Sequence, residues 1–155
     1  MLTRRNLFLS SVALAALGAR AHAAETRHVH VTKDPGCECC EGWAQHLKAK
    51  GYSVTVTESP DLAALKVKLG IPEDLRSCHT GEIGGLILEG HVPAAAVAYL
   101  LREKPQGMIG LSVPGMPVGA PGMEVKGAWP EEYPVVLFGP AGRRTWARFK
   151  GASQV

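Results

Sequence analysis

An α/β fold with the element order β-α-β-α-β-β-α is predicted by three observations. Short runs of alternating apolar residues take turns with helical apolar stripes, and Gly/Pro pairs punctuate the junctions. Three of the four cysteines crowd into the junction between the first strand and the first helix. At 155 residues, 46% hydrophobic and 20% charged, the chain has the material for one globular core and little room for a second domain.

The first strand runs from His28 to Thr32, with Val29 and Val31 in alternation, and the turn residues Lys33-Asp34-Pro35-Gly36 end it. Cys40, Trp43 and Leu47 then fall at helical spacing up to Gly51, which puts the cysteines at a helix N-terminus. Val54 and Val56 mark a second strand. Ser59 and Pro60 suit an N-cap and a first helical position, with Leu62, Leu65 and Leu69 forming one stripe before Gly70. His79 to Ile83 and Leu86 to Leu88 flank Gly84-Gly85 and read as a β-hairpin. Pro93 opens an alanine-rich helix with Ala94, Val97, Leu100 and Leu101 on one face, ending before Pro105. This order, with its cysteine cluster ahead of the first helix, is that of a thioredoxin-like domain.

A C-terminal extension begins at about residue 105. Between Pro105 and Gly122, prolines and glycines recur every few residues, which predicts a Pro/Gly/Met-rich loop without helix or long strand. Val135 to Phe138 and Thr145 to Phe149 flank Gly139-Pro140-Ala141-Gly142, a second hairpin able to extend or cap the sheet. The reading is therefore one domain over residues 24–155.

Residues 1–23 read as a signal peptide. Arg4 and Arg5 precede an apolar run from Leu7 to Leu17, and Ala21-His22-Ala23 offers the small residues of a cleavage site. The paired arginines resemble the bacterial Tat signal, and the apolar run is too short to span a bilayer. The mature chain is thus expected in the periplasm, with no membrane span after cleavage. Arg4, Arg5 and Arg20 all lie in that segment, so the mature chain carries three fewer than the 17 basic residues, which equals its 14 acidic ones. A balanced charge without a Lys/Arg cluster argues against a nucleic-acid footprint.

Cys37, Cys39, Cys40 and Cys78 carry the chemistry. An even cysteine count in an exported protein permits two disulfides in three connectivities, and Cys37 and Cys40 have the Cys-x-x-Cys spacing that closes easily. A staple joins distant segments, however, and this cluster mostly would not. Thiols at a helix start meet free backbone N–H groups and the positive end of the helix dipole, which favours the thiolate as nucleophile or metal ligand. Structural zinc takes four donors at tetrahedral corners, whereas adjacent Cys39 and Cys40 point in different directions. Cu(I) is soft, accepts low coordination numbers and lets a thiolate bridge two ions, so such crowding suits a multinuclear site. Thioethers suit the same ion, which makes Met116 and Met123 candidate ligands; Met108 reads as core filling. Cys78 lies on the loop before the third strand, which in a thioredoxin-like domain faces the helix-1 cysteines, and His79 beside it offers an imidazole nitrogen. His28, His30, His46 and His91 read as ordinary surface or structural residues.

Three readings follow. The first is an envelope protein that holds Cu(I) in a thiolate cluster, with copper ions as its partners alongside other periplasmic copper chaperones or efflux components. The second is a thiol-disulfide oxidoreductase in which Cys37 attacks and Cys40 resolves. Against it stand the surplus cysteines and the segment Ser77-Cys78-His79-Thr80, which lacks the proline that redox enzymes of this fold carry there. The third, an inert domain stapled by two disulfides, leaves the adjacent Cys39 and Cys40 unexplained.

Four motifs appear in order: Cys37-Glu38-Cys39-Cys40-Glu41-Gly42-Trp43, Ser77-Cys78-His79-Thr80, Glu89-Gly90-His91-Val92-Pro93 and the loop from Pro114 to Glu124. From about His28 to Glu124 the chain resembles the CopG-type periplasmic copper-resistance proteins. The resemblance implies a thioredoxin-like domain holding a cysteine-bridged multinuclear copper cluster, and a role as a copper oxidoreductase exchanging Cu(I) and Cu(II). It carries Cys37, Cys39, Cys40 and Cys78 over as ligands, and His79, Met116 and Met123 less directly.

Overall fold

Residues 27–155 are described by the structure, a computed structural model. The expected signal segment, residues 1–23, lies outside them. The strands are β1 (His28–Lys33), β2 (Ser53–Glu58), β3 (His79–Ile83), β4 (Leu86–Glu89), β5 (Gly110–Ser112), β6 (Glu132–Gly139), β7 (Gly142–Lys150) and β8 (Ser153–Gln154). The helices are α1 (Glu38–Ala49), α2 (Leu62–Lys68) and α3 (Ala94–Glu103), with a 3₁₀ turn at Glu73–Leu75 ahead of β3. From β1 to α3 the order is the one expected from the sequence.

All eight strands join one sheet in the order β2-β1-β3-β4-β5-β6-β7-β8. β1 pairs with β2 in parallel and with β3 antiparallel. Parallel neighbours need a crossover, and α1 supplies it between β1 and β2 as α3 does between β4 and β5. The period-2 rule then sorts side chains to the two faces. Along β6, Val135 and Leu137 enter the main core with Val29, Val31, Trp43, Leu47, Val97 and Leu100, whereas Val136 and Phe138 join Ile71, Leu75 and Ile87 in a second cluster. Met108 packs against the main core, as expected.

The segment from Pro105 to Gly122 holds no helix and no long strand, as expected; β5 within it is three residues long and gains its order from neighbours on both sides, Leu111 pairing with Leu88 and Leu137. So short a strand leaves no period in the sequence. Two sequence expectations need correction. The second helix starts later than Ser59-Pro60 suggested. Asp61 is its N-cap, accepting from the Ala64 N–H, while the Ser59 hydroxyl accepts from the Asp61 N–H. Pro93 is likewise the N-cap of α3, one position ahead of its expected place. The C-terminal hairpin extends the sheet through the β5–β6 and β6–β7 pairings. Among the described residues no helix is long and apolar enough to cross a membrane.

Candidate metal centre

The turn Asp34-Pro35-Gly36, with Gly36 at φ +73°, swings the chain from β1 into α1. Cys37 is the N-cap of α1, which puts Cys39 and Cys40 in its first turn. Trp43, one turn later, anchors that helix end: it is fully buried, and its indole N–H donates to the Val92 carbonyl at 2.9 Å. Gly81 on β3 makes room for it, since a Cβ there would lie 3.0 Å from the Trp43 ring. β3 begins at His79, so the residue before it, Cys78, is held at the sheet end facing α1.

The four cysteine sulfurs lie within 4.8 Å of one another. Cys39 Sγ is 3.5 Å from Cys37 Sγ and 3.9 Å from Cys78 Sγ. Cys37 and Cys40 form a disulfide, with Cα atoms 5.5 Å apart, while Cys39 and Cys78 are free. The crowding expected from the sequence is therefore real, and Cys78 does reach the other three. The joining of Cys37 to Cys40 realises the easy closure of the Cys-x-x-Cys spacing and leaves the other two sulfurs as thiols.

Cys78 also belongs to a second donor group. Its Sγ lies 3.3 Å from His79 Nδ1 and 3.2 Å from His91 Nε2, and the three donors fall within 4.8 Å of one another. The His91 ring is fixed from behind: its Nδ1 is 2.8 Å from the Pro121 carbonyl, the arrangement that selects the Nδ1–H tautomer and turns the Nε2 lone pair toward Cys78. His79 sits between Trp43 and His91, with ring centroids at 4.4 and 5.0 Å. Its Nδ1 faces Cys78, while its Nε2, the other ring nitrogen, is buried without a hydrogen-bond partner among the described residues.

Electrostatics follow burial. Burial, and then the neighbouring Cys39, push the Cys78 thiol up to about 12. Burial holds His79 well below the usual imidazole range, with His91 and Lys66 adding to the effect. Burial lowers His91 as well. Both rings are accordingly neutral at pH 7, the form that binds metals.

Of the residues singled out in the sequence, Cys37, Cys39, Cys40, Cys78 and His79 come together. The two methionines are held nearby by the loop. The Ser77 hydroxyl donates to the Gly115 carbonyl at 2.5 Å, which keeps the backbone of Met116 beside the Cys78 segment, though the Met116 side chain is 54% exposed. Gly122 lies against the first turn of α1, where a Cβ would sit 2.6 Å from the Cys39 carbonyl, and the side chain of Met123 packs against the main core. His91 was read as unremarkable in the sequence; its place in Glu89-Gly90-His91-Val92-Pro93 was the available signal. His46 also has a structural task, since its Nε2 accepts the Ala94 N–H at 3.1 Å and caps α3, whose N-cap Pro93 supplies no side-chain bond.

Comparison with known proteins places this geometry. Two solved structures named copper resistance protein copG, Form 1 and Form 2, are each 41% identical to the chain, with TM-scores of 0.74 and 0.73. They align over 82% and 79% of this chain and over 100% and 97% of their own. The chain belongs to the CopG copper-resistance family. Residues 75–123 also match a family described as a protein of unknown function, DUF411, which spans the CopG-type segments from Cys78 through His91 to Met123. No curated protein matches the chain.

Proposed function

We propose that this protein is a periplasmic copper-binding protein that holds Cu(I) as cargo in a multinuclear thiolate cluster and serves copper resistance. The observation that carries the reading is the shared position of Cys78, which joins a four-sulfur group to a sulfur-imidazole group at hydrogen-bond-scale distances. Soft thiolates with borderline imidazoles are the donors that Cu(I) prefers, and one thiolate serving two groups favours more than one ion. The Nδ1 of His79 and the Nε2 of His91, both facing the Cys78 sulfur, support the fit. Cys37, Cys39, Cys40, Cys78, His79 and His91 are the ligand candidates, with Met116 and Met123 available from the loop. The sheet order β2-β1-β3-β4 with α1 and α2 after the first two strands supports a thioredoxin-like unit over the first part of a single domain. Export by a Tat-like signal at residues 1–23, cleaved before a mature chain of residues 24–155, belongs to the same proposal.

Copper loading of all four sulfurs requires the Cys37–Cys40 disulfide to gain two electrons and two protons as it becomes a dithiol. Titration of the reduced protein with Cu(I) against a chromophoric chelator tests the function. More than one copper per chain, with thiolate-to-copper charge-transfer absorption, is expected; a stoichiometry of zero or one overturns the cluster.

A second reading has its own support. The Cys37–Cys40 disulfide at a helix N-terminus is the arrangement of a thiol-disulfide oxidoreductase. Catalysed reduction of insulin, abolished by Cys37→Ser, would favour it. A copper oxidoreductase role would appear as copper-dependent electron transfer to a soluble acceptor.

A further inference from the structure

Behind the metal centre lies a buried charge pair that none of the chemistry above uses. Lys66 on α2 and Glu89 at the end of β4 have side chains only 5% and 0% exposed, and the ammonium lies 2.5 Å from Glu89 Oε1. Burying two charges is expensive, and such a pair is no better for stability than apolar residues of the same volume. Its hydrogen bonds indicate another purpose. Glu89 Oε1 also accepts the backbone N–H of Ser77 at 2.6 Å, and Oε2 accepts the Thr80 hydroxyl at 2.7 Å. Lys66 donates to that same hydroxyl at 2.9 Å. Ser77 and Thr80 bracket Cys78 and His79, so one carboxylate grips the chain on both sides of two candidate ligands.

The same strand end holds the third. Glu89 is followed by Gly90 and His91, and the Gly90 N–H donates to the His79 carbonyl at 3.0 Å. Gly90 fits at φ +71° with no side chain; a Cβ there would lie 2.6 Å from the Ser77 side chain. The spacing between Cys78 and His91 is therefore set by contacts that converge on Glu89.

We propose that Lys66 and Glu89 are positioning residues that set the Cys78, His79 and His91 donors for copper, an inference that rests on the copper-binding reading above. Lys66 holds the carboxylate in place and neutralises it; Glu89 transmits that position to the backbone on either side of the ligands. Partners of this kind, lying behind metal ligands, change affinity by about 10–100-fold when removed.

The test uses the reduced full-length chain and the paired variant Lys66→Met with Glu89→Gln, which removes both charges together and strands neither. Cu(I) affinity and stoichiometry are measured by chelator competition, the ligand set by X-ray absorption at the copper edge, and folding by circular dichroism. The expected result is a folded protein whose copper affinity falls about 10–100-fold, with a reduced nitrogen contribution at copper. A folded variant with the wild-type affinity and absorption spectrum overturns the inference, since a purely structural pair would alter only the melting temperature. Should the paired variant fail to fold, Thr80→Val, which keeps shape and loses the bridging hydroxyl, decides by the same two readouts. Failure of the wild-type chain itself to bind Cu(I) would overturn the copper-binding reading and this inference with it, whereas wild-type binding with unaffected variants overturns this inference alone.

Discussion

Cys78 Sγ and His91 Nε2 approach to 3.2 Å although 13 residues separate them in the chain. The contact exists because β3 and β4 form an antiparallel hairpin, with Thr80 opposite Glu89, so the residues just outside the paired segment face each other across its open end. Pro121, from the long loop, fixes the imidazole from the far side.

His91→Gln keeps a polar side chain of similar reach and removes the imidazole. Reduced protein carrying it is expected to bind copper about 10–100-fold more weakly, equivalent to about 1.4–2.8 kcal/mol. His28→Gln, at an exposed position on β1, is expected to leave copper binding unchanged. Chelator competition on both variants checks the contrast.

The disulfide and the four-sulfur site exclude each other, because a sulfur in a disulfide is no longer a thiolate donor. Protein oxidised to the Cys37–Cys40 form should take up less Cu(I) than protein treated with a dithiol reductant, and a second addition of reductant should restore uptake. Equal copper content in the two forms, by elemental analysis of desalted samples, would remove these two sulfurs from the ligand set.

With its thiol pushed up to about 12, Cys78 is protonated across the physiological range in the metal-free protein, and copper must displace that proton. Below that value, apparent affinity should therefore rise with pH, by about tenfold per unit for each proton released. Calorimetric titration in buffers of different ionisation enthalpy counts the protons.

Burial, with Lys50 adding, lowers the pKa of His46, whose Nε2 must stay unprotonated to accept the Ala94 N–H. An imidazole with a depressed folded pKa gives stability that is complete above its unfolded value, about 6.5, and is lost as pH falls through the folded value. His79 and His91 act in the same direction. Thermal unfolding of the metal-free protein is expected at lower temperature as pH drops below about 6.5, and more shallowly so in His46→Gln.

Gly122 sits at φ +84° against the Cys39 carbonyl. Gly122→Ala places a Cβ in that contact and in an unfavourable backbone region, at a cost of about 1–3 kcal/mol. The unfolding midpoint in urea should fall accordingly. Gly127→Ala, also at positive φ but facing open space, should cost less.

Much of this was legible along the chain. The element order through α3 follows from apolar periods of 2 and 3.6, because those periods are local and survive without tertiary context. The cysteine crowding at the start of α1 is equally local. β5 was not, since three residues carry no period and Gly110-Leu111-Ser112 becomes a strand only when β4 and β6 close around it. The N-cap of α2 moved from Ser59 to Asp61 because two oxygen-bearing side chains competed, and the backbone N–H groups within reach of each decided between them.

By itself the sequence determined the donor types, their density at one helix end and the family pattern that links them. Only the tertiary structure decided that His91 stands beside Cys78, that Cys37 takes Cys40 as its partner and leaves Cys39 free, and that Lys66 lies buried behind the ligands. Donor chemistry belongs to a residue wherever it stands, whereas proximity between residues distant in the chain is created by sheet pairing and packing, which no local pattern encodes.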